Sequence, residues 1–516
     1  MAIETRERGE TMELKVFRDT LTAAGGLCDT KTELPIETEI LIPDYLPQVF
    51  KIVKCQVRPV VLQAQTTGGR LTLDGYLRCV VFYQSDEQQN LCQTEQKLPF
   101  TKTLDLPAPE YGGCQVHTGG EVEYLNCRAV NQRRVDVRGA FSLNVTLTLR
   151  QEQPVITALS GSGAEQLLGT LTGARPVAAL DKLITAEEEI TFPTPPAAVL
   201  DVTGLATVQE IRLLPGKAVI KGEVEARVLY RIAPGCELEQ LTRAVPFNQI
   251  VDVDGAAEDC RCFAYVEPVG CTLMAAPNPQ TPGTVSVTAM LRLRVWRPME
   301  CVVVEDAFST EYNAQVEYKT VTVEQMEAPV DQTVRLTLEG ALPDENARIL
   351  HCFASLAPTE AAQAGPGVML RGRGTAHVLC LNSLGEIECY DKAFEYQLPD
   401  VWEGQIQEYR AECWADVVQC AARKENGGMA ADLTLRVTGL MARARQQTVV
   451  SEMTCEDPLE PADPDVALRI CYAQAGEDVF HIAKRYHVSP AALLRANQLE
   501  QPRLDAPARL LIPVVG

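Results

Sequence analysis

Cysteine and histidine are the residue types in this chain best suited to chemistry, and their spacing argues against it. Eighteen cysteines are scattered from Cys28 to Cys471, with no CxxC pair. The closest two, Cys260 and Cys262, are separated by one residue, which is closer than the common zinc-ligand spacing. We therefore predict no metal site and expect most cysteines to be small buried apolar residues.

The five histidines do not form a catalytic motif. His117, His351 and His377 are far apart and are expected to be surface or strand residues, whereas His481 and His487 lie six residues apart, a poor spacing for one helical face. Cys114 follows two glycines, but no motif places a histidine beside it. The sequence also lacks GxSxG, GxxxxGK[ST], HExxH and a GxGxxG that opens a helix. We predict no catalytic residues, no cofactor and no enzymatic activity.

An alternative is a hydrolase that uses a dispersed pair of carboxylates. That reading requires a polar pocket in which carboxylates converge. The sequence alone does not indicate which acidic residues would form such a pocket.

Length and charge indicate several folded domains with an acidic surface. A chain of 516 residues predicts about three to five domains, and 46% apolar with 22% charged residues is typical of globular proteins. The net charge of −22 argues against binding to nucleic acid or to an anionic membrane. The N-terminus has no uninterrupted apolar segment, and no later stretch approaches 18 apolar residues, so we expect a cytoplasmic protein.

A strand pattern centred on a glycine occurs three times, at Gly75, Gly222 and Gly372. A valine follows each glycine by six residues, and the spacings of 147 and 150 residues are those of whole domains. Apolar and polar residues alternate around each glycine, which predicts half-buried strands with a bulge or close backbone approach at the glycine. A second strand group follows in each repeat, centred on Gly139 in the first. The chain should therefore be mainly β, with three tandem β-sandwich-like repeats.

The segments between the repeats set the predicted boundaries. We expect a short helix over Met12–Leu21 and another in the first join, where four leucines recur, whereas the second join is strand-like. The predicted organisation is an N-terminal extension (1–33), repeats over 34–158, 186–312 and 326–451, linkers over 159–185 and 313–325, an acidic proline-rich spacer (452–466) and a separate module (467–516).

The last fifty residues differ from the repeats in charge and pattern. Residues 467–516 contain six basic and four acidic residues, so this module is +2 and the rest of the chain is −24. The pattern predicts a strand, two helices and a strand. Ser489 and Pro490 give a helix N-cap followed by proline at the first helical position.

This module resembles a LysM domain in Gly476, Tyr486, Asn497 and the terminal Ile512-Pro513. The resemblance implies a βααβ fold with a shallow groove that binds N-acetylglucosamine polymers in many members. The family's usual Gly-Asp-Thr-Leu here reads Gly-Glu-Asp-Val, so a carboxylate replaces a hydroxyl. Asp478 could cap a helix or contact a ligand, and Phe480 could be a core or a groove-wall residue. The groove residues by matched position are Gly476, Glu477, Asp478, Val479 and Phe480 on one side, with Asn497, Leu499, Glu500 and Gln501 on the other.

Three β repeats followed by a LysM module resemble the SPOCS-domain proteins of spore-forming Firmicutes. The resemblance implies a non-enzymatic spore coat scaffold, made in the mother-cell cytoplasm and placed on the forespore surface. Its partners would be the coat's basement-layer morphogenetic ATPase (SpoIVA-like), bound through the LysM module, and other coat proteins. Unpaired strand edges of the repeats offer a route to those contacts or to self-association. The alternative is a protein that binds peptidoglycan or chito-oligomers at the spore cortex or cell wall.

Overall fold

The computed structural model describes residues 13–86, 89–105, 114–232, 237–274, 282–460 and 468–513. Antiparallel strands dominate these residues and form three successive β-sandwiches, followed by a small module with two helices. The mainly β fold with three sandwich-like repeats and a C-terminal βααβ domain is confirmed. Among the described residues, no helix has the length and apolar character needed to cross a membrane.

The first two sandwiches share one plan, in which two three-stranded sheets face each other. The repeat glycine, Gly75 or Gly222, lies on the central strand of one sheet, and alternating apolar side chains of both central strands point into the core between the sheets. The first comprises β1 (Lys15–Leu41), β2 (Val49–Thr67), β3 (Arg70–Ser85), β4 (Leu91–Asp105), β5 (Cys114–Asn131) and β6 (Arg134–Ser160). The second comprises β7 (Ala164–Ile190), β8 (Ala198–Leu214), β9 (Lys217–Arg231), β10 (Leu238–Asp252), β11 (Arg261–Met274) and β12 (Gly283–Ser309).

The third sandwich has the same plan with two strands interrupted. Its strands are β13 (Tyr312–Met326), β14 (Val330–Ala341), β15 (Arg348–Leu356), β16 (Glu360–Ala364), β17 (Gly367–Leu381), β18 (Ile387–Glu403), β19 (Tyr409–Glu425) and β20 (Gly428–Pro458). Pro329 lies in the break between β13 and β14, and Pro358 lies in the break between β15 and β16. Proline has no N–H to donate to a ladder, which accounts for interruptions at these points.

The repeat glycines lie where the neighbouring backbone and an aromatic ring come close. A Cβ at Gly75 or Gly222 would overlap the carbonyl oxygen of Val60 or Thr207, and one at Gly372 would overlap the hydroxyl of Tyr396. A register shift lies beside the partner of Gly75 on β2 and of Gly222 on β8. At these positions any side chain would have to displace backbone or a ring.

The predicted short helices and the linker assignments are wrong, because the long strands run through those segments. From Lys15 onward, the described part of Met12–Leu21 and of the extension 1–33 belongs to β1, which pairs with β6 along its whole length. The linker 159–185 lies almost wholly in β7, and the linker 313–325 is β13. Pairing with a neighbouring strand gives the backbone N–H and C=O groups of these segments hydrogen-bond partners, and this outweighs a weak helical periodicity in the sequence.

The acidic spacer 452–466 is also shorter than predicted. Its first residues, up to Pro458, continue β20 and pair with β13 as far as Tyr312. Residues 461–467 lie outside the described part of the chain.

The three sandwiches pack on one another and are not separate domains joined by linkers. The extended strands contribute Leu21, Leu171, Val303, Val321 and Val449 to one shared apolar cluster. A second shared cluster contains residues of all three repeats, namely Val80, Phe82, Leu91, Leu200, Leu229, Leu379 and Ile387. The acidic array is therefore one packed body with a common interior.

Candidate functional site

The C-terminal module contains β21 (Arg469–Ala473), α1 (Val479–Tyr486), α2 (Pro490–Asn497) and β22 (Ala508–Ile512). The two strands pair antiparallel, and both helices end in a residue with left-handed backbone, His487 and Gln498. At the start of α1, Asp478 Oδ1 accepts a hydrogen bond of 2.8 Å from the Phe480 N–H. The carboxylate of Asp478 is thus a helix N-cap.

Backbone hydrogen bonds join the predicted first rim of the groove to residues just beyond the second rim. The Gly476 N–H donates to Leu504 O and the Val479 N–H to Pro502 O, each at 2.7 Å, and the Leu504 N–H donates to Glu477 O at 3.0 Å. Gly476 has a φ of +87°, the left-handed region that suits glycine. The first loop is therefore fixed against residues 502–504.

Several predicted groove residues already have structural partners. The Asn497 amide donates to Leu493 O and Leu511 O, and its oxygen accepts the Leu511 N–H at 2.6 Å, which ties α2 to β22. Val479 is buried, and Leu499 packs against the module's core. Of the second rim, Glu500 and Gln501 are fully on the surface.

Phe480 is used for packing between the module and the β array. Its ring meets the ring of Phe308 on β12 edge to face, with centroids 5.3 Å apart, and both side chains are buried. Beside this contact, Lys484 Nζ lies 2.5 Å from Asp306 Oδ1, and His487 Nδ1 lies 3.1 Å from Ser309 O. One side of α1 is therefore occupied by the chain's own second repeat.

The module's two-stranded sheet presents apolar side chains to solvent. Tyr472 is 77% exposed, and Leu468, Ile470 and Leu511 are also exposed. Ile470 lies directly opposite Leu511 in the ladder, and Tyr472 lies opposite Arg509. Exposed apolar groups that adjoin one another, with a basic neighbour, are typical of a surface that binds another macromolecule.

A cavity of about 1130 Å³ lies where the three repeats meet, and the sequence did not indicate it. His117 and His351 line it, although they lie in different repeats. Burial lowers the pKa of both histidines. Burial also raises the pKa of Asp416 to about 7, although the hydrogen bond that its carboxylate accepts from the Tyr265 hydroxyl opposes this rise. The packing of the repeats thus places two strand histidines from different repeats on the wall of one cavity.

The carboxylates of the cavity are mostly ion-paired. Glu225 pairs with Arg227 at 2.7 Å, Glu267 pairs with Arg292 at 2.7 Å, and Asp201 contacts Arg78 at 3.2 Å. An arginine beside a carboxylate occupies lone pairs of its oxygens. These ion pairs hold the cavity wall together, and their carboxylates are not free to act as a catalytic acid or base.

A hydrogen-bonded chain joins the first and third repeats beside the cavity. Ser355 Oγ lies 2.9 Å from His377 Nε2, and His377 Nδ1 lies 2.7 Å from Asp391 Oδ1. His377, Cys389 and Asp391 also lie close enough together to hold a metal ion. Lys54 Nζ, at 2.5 Å from Asp391 Oδ2, already supplies a positive charge there. The arrangement acts as a bridge between repeats.

Two family models match the chain. Residues 48–130 and 197–274 match the SipL SPOCS domain, and residues 473–513 match the LysM domain. The matched SPOCS segments run from β2 into β5 and from β8 to β11, and the third repeat lies outside them. The search of curated proteins found no match.

The chain is therefore a multidomain protein that combines SPOCS β domains with a C-terminal LysM domain. Both are families of non-catalytic domains. The SPOCS model is that of SipL, so the chain is similar to SipL in these segments, and the two matches support a sporulation-related LysM protein, as the repeat pattern and the C-terminal motif indicated.

Proposed function

We propose that this protein is a non-enzymatic scaffold of the spore envelope that docks on the coat's basement-layer ATPase (SpoIVA-like) through its LysM domain. The observation that carries the proposal is the exposed sheet face of that domain, with Ile470, Tyr472 and Leu511 in solvent. Helix α1 is anchored to the second repeat at Phe308, so the sheet face is what the module offers to a partner. Its location would be the mother-cell side of the forespore.

The β array supplies the second half of the scaffold. Strands β4 and β10, at the ends of their sheets, each pair with a single neighbouring strand in the described part of the chain. Unpaired strand edges can accept an added strand from another protein or from a second copy. We propose that the array recruits or polymerises coat components in this way.

The charge distribution favours the LysM domain as the docking end. The module carries +2, whereas the remaining chain carries −24. The array would repel a partner with an acidic surface, whereas the module would attract it. This difference favours encounters in which the partner meets the module first.

Substitutions on the exposed face test the docking. Ile470→Ser together with Tyr472→Ser should weaken binding to the purified basement-layer ATPase by about tenfold or more, because central tyrosines are frequent binding hot spots. The matched control is Leu384→Ser, an 80% exposed leucine on the third repeat, which should leave binding unchanged. Circular dichroism checks that both proteins fold. Equal binding by the double variant would refute the assignment of this face.

Deletion of residues 467–516 tests the role in the cell. A fluorescent fusion without the module should fail to encircle the forespore during sporulation, while the full-length fusion encircles it. Normal encirclement by the truncated fusion would overturn docking through the LysM domain. A pull-down from sporulating lysate with both forms identifies the partners that depend on the module.

The second candidate function is binding to peptidoglycan or N-acetylglucosamine polymers, which the LysM match favours. In the groove, however, Asp478 caps α1, the Asn497 amide is bonded to backbone, and Phe480 packs on Phe308. These groups have little left to offer a sugar. The candidate requires that the protein sediments with purified cell wall and that chito-oligomers compete, and failure of both results would eliminate it.

A further inference from the structure

Two cysteines from opposite sheets of the third sandwich meet at the wall of the central cavity. Cys352 Sγ on β15 lies 3.1 Å from Cys420 Sγ on β19. Strand β15 belongs to the sheet centred on β17, whereas β19 belongs to the sheet centred on β20. A covalent bond at this point would join the two sheets directly.

We propose that Cys352 and Cys420 form a reversible disulfide that locks the third sandwich, with a small-molecule disulfide that enters the cavity as the oxidant. A disulfide needs an S–S distance of about 2.05 Å, so the two sulfur atoms have to approach by only about 1 Å. Side-chain rotation and small strand shifts provide that movement. The proposal is independent of the docking function.

The surroundings distinguish the two thiols. Cys352 is 6% exposed and packs in the sandwich core, whereas Cys420 is partly exposed, and both line the cavity. Hydrogen bonding of Cys352 to the Cys420 sulfur raises the pKa of Cys352 and lowers the pKa of Cys420. Cys420 is therefore both the more accessible sulfur and the better source of thiolate.

The reaction proceeds in two exchanges. The Cys420 thiolate attacks one sulfur of the small disulfide, forms a mixed disulfide and releases one small thiolate. The Cys352 thiolate then attacks the Cys420 sulfur, forms the bond between the two sheets and releases the second small thiolate. Each leaving thiolate takes up the proton that a cysteine gave up. The protein is oxidised by two electrons, and the small disulfide is reduced to two thiols.

The same cavity contains a matched control thiol. Cys271 lines the cavity from the second repeat, and burial raises its pKa to about 11. Among the described residues no cysteine sulfur is hydrogen-bonded to Cys271. The Cys271→Ser variant therefore tests whether access to the cavity is by itself enough for a cysteine to take part in the cross-link.

The experiment treats the full-length chain with bis(2-hydroxyethyl) disulfide, followed by intact-mass measurement and non-reducing peptide mapping. The unsubstituted chain and Cys271→Ser should both show a Cys352–Cys420 linked peptide. Cys352→Ser should stop at a mercaptoethanol adduct on Cys420, and Cys420→Ser should show neither product. Absence of the linked peptide when surface thiols have reacted would overturn the proposal, and so would an adduct of equal yield on Cys352 in Cys420→Ser.

A second measurement tests the lock itself. The oxidised chain should melt higher than the reduced chain, by an amount on the order of 5–10 °C for the third sandwich, because the cross-link restricts the unfolded state. The double variant Cys352→Ser/Cys420→Ser should melt at the same temperature with and without oxidant. An unchanged melting temperature in a chain shown by mapping to be linked would refute the locking role.

Discussion

The buried ion pair between Arg294 and Glu412 allows the packing of the repeats to be tested quantitatively. Arg294 on β12 donates to Glu412 on β19 at 2.6 and 3.0 Å, and the two side chains are 6% and 1% exposed. Gln115 on β5 also donates to Glu412, so a residue of each repeat takes part. Arg294 binds Asp181 as well, at 2.8 Å.

We predict that Arg294→Met lowers the free energy of unfolding by about 3–5 kcal/mol, because it leaves the Glu412 carboxylate buried without its main counter-charge. The double variant Arg294→Met/Glu412→Gln should recover about 1–3 kcal/mol of that loss, since it removes the unpaired charge as well. The assay is urea unfolding at pH 7, followed by tryptophan fluorescence.

The control is Arg70→Met. Arg70 pairs with Asp105 on the surface, where the side chains are 67% and 83% exposed, so the expected change is within about 0.5 kcal/mol. The reasoning would be refuted if Arg294→Met cost no more than this control, or if the double variant were no more stable than the single one.

The pH dependence of this pair has a definite sign. Burial alone would raise the pKa of Glu412, but the charge and hydrogen bonds of Arg294 outweigh it and hold that pKa below its usual value. The stabilisation from Glu412 is therefore complete above the unfolded pKa of about 4.3 and is lost as the pH falls through the lower folded value. Glu412→Gln should weaken the acid sensitivity of unfolding in this range.

Three further predictions concern the repeat glycines, the cavity and the LysM contact. Gly222→Ala should cost more than about 2 kcal/mol, because its Cβ would overlap a backbone oxygen, whereas Gly270→Ala, with its nearest neighbour 3.9 Å away, should cost less than about 1 kcal/mol; equal costs in urea unfolding would contradict this. Burial raises the pKa of Asp416 to about 7, so this group favours folding less as the pH rises from about 4 to about 7; Asp416→Asn should flatten that part of the stability curve, and an unchanged curve would exclude the raised pKa. Phe308→Ala should weaken the packing of the LysM domain on the second repeat by about 2–4 kcal/mol and should speed proteolysis of the spacer. Lys484→Ala, which removes an ion pair, should weaken that packing by less than about 1 kcal/mol. Identical proteolysis rates for the two variants would show that the ring contact does not hold the domain in place.

Local patterns were enough for the parts of the fold that depend on neighbouring residues. The alternation around Gly75 and its two counterparts predicts strands because every second side chain enters the core of its own sandwich. In the LysM domain, Pro490 at the start of α2 and Gly476 in the turn before α1 mark boundaries through backbone constraints alone. These features are confirmed as elements of a mainly β chain with a βααβ module.

Segments without a strong local pattern required the tertiary partner. Ala164–Ile190 contains glycines and clustered leucines, and it becomes a strand because β12 offers a continuous ladder beside it. The same holds for the start of β1 against β6. The local sequence of these two segments carries no information about the distant strand that pairs with them.

The candidate sites divide in the same way. The sequence by itself determined three β repeats, an acidic array and a basic LysM tip, because composition, alternation and turn residues are properties of the chain. Only the tertiary structure decided that Phe480 packs on Phe308, that Asn497 is bonded to backbone, and that Cys352 meets Cys420 beside a shared cavity. Such contacts join residues far apart in sequence, and their geometry depends on how whole sheets pack, which no local pattern records.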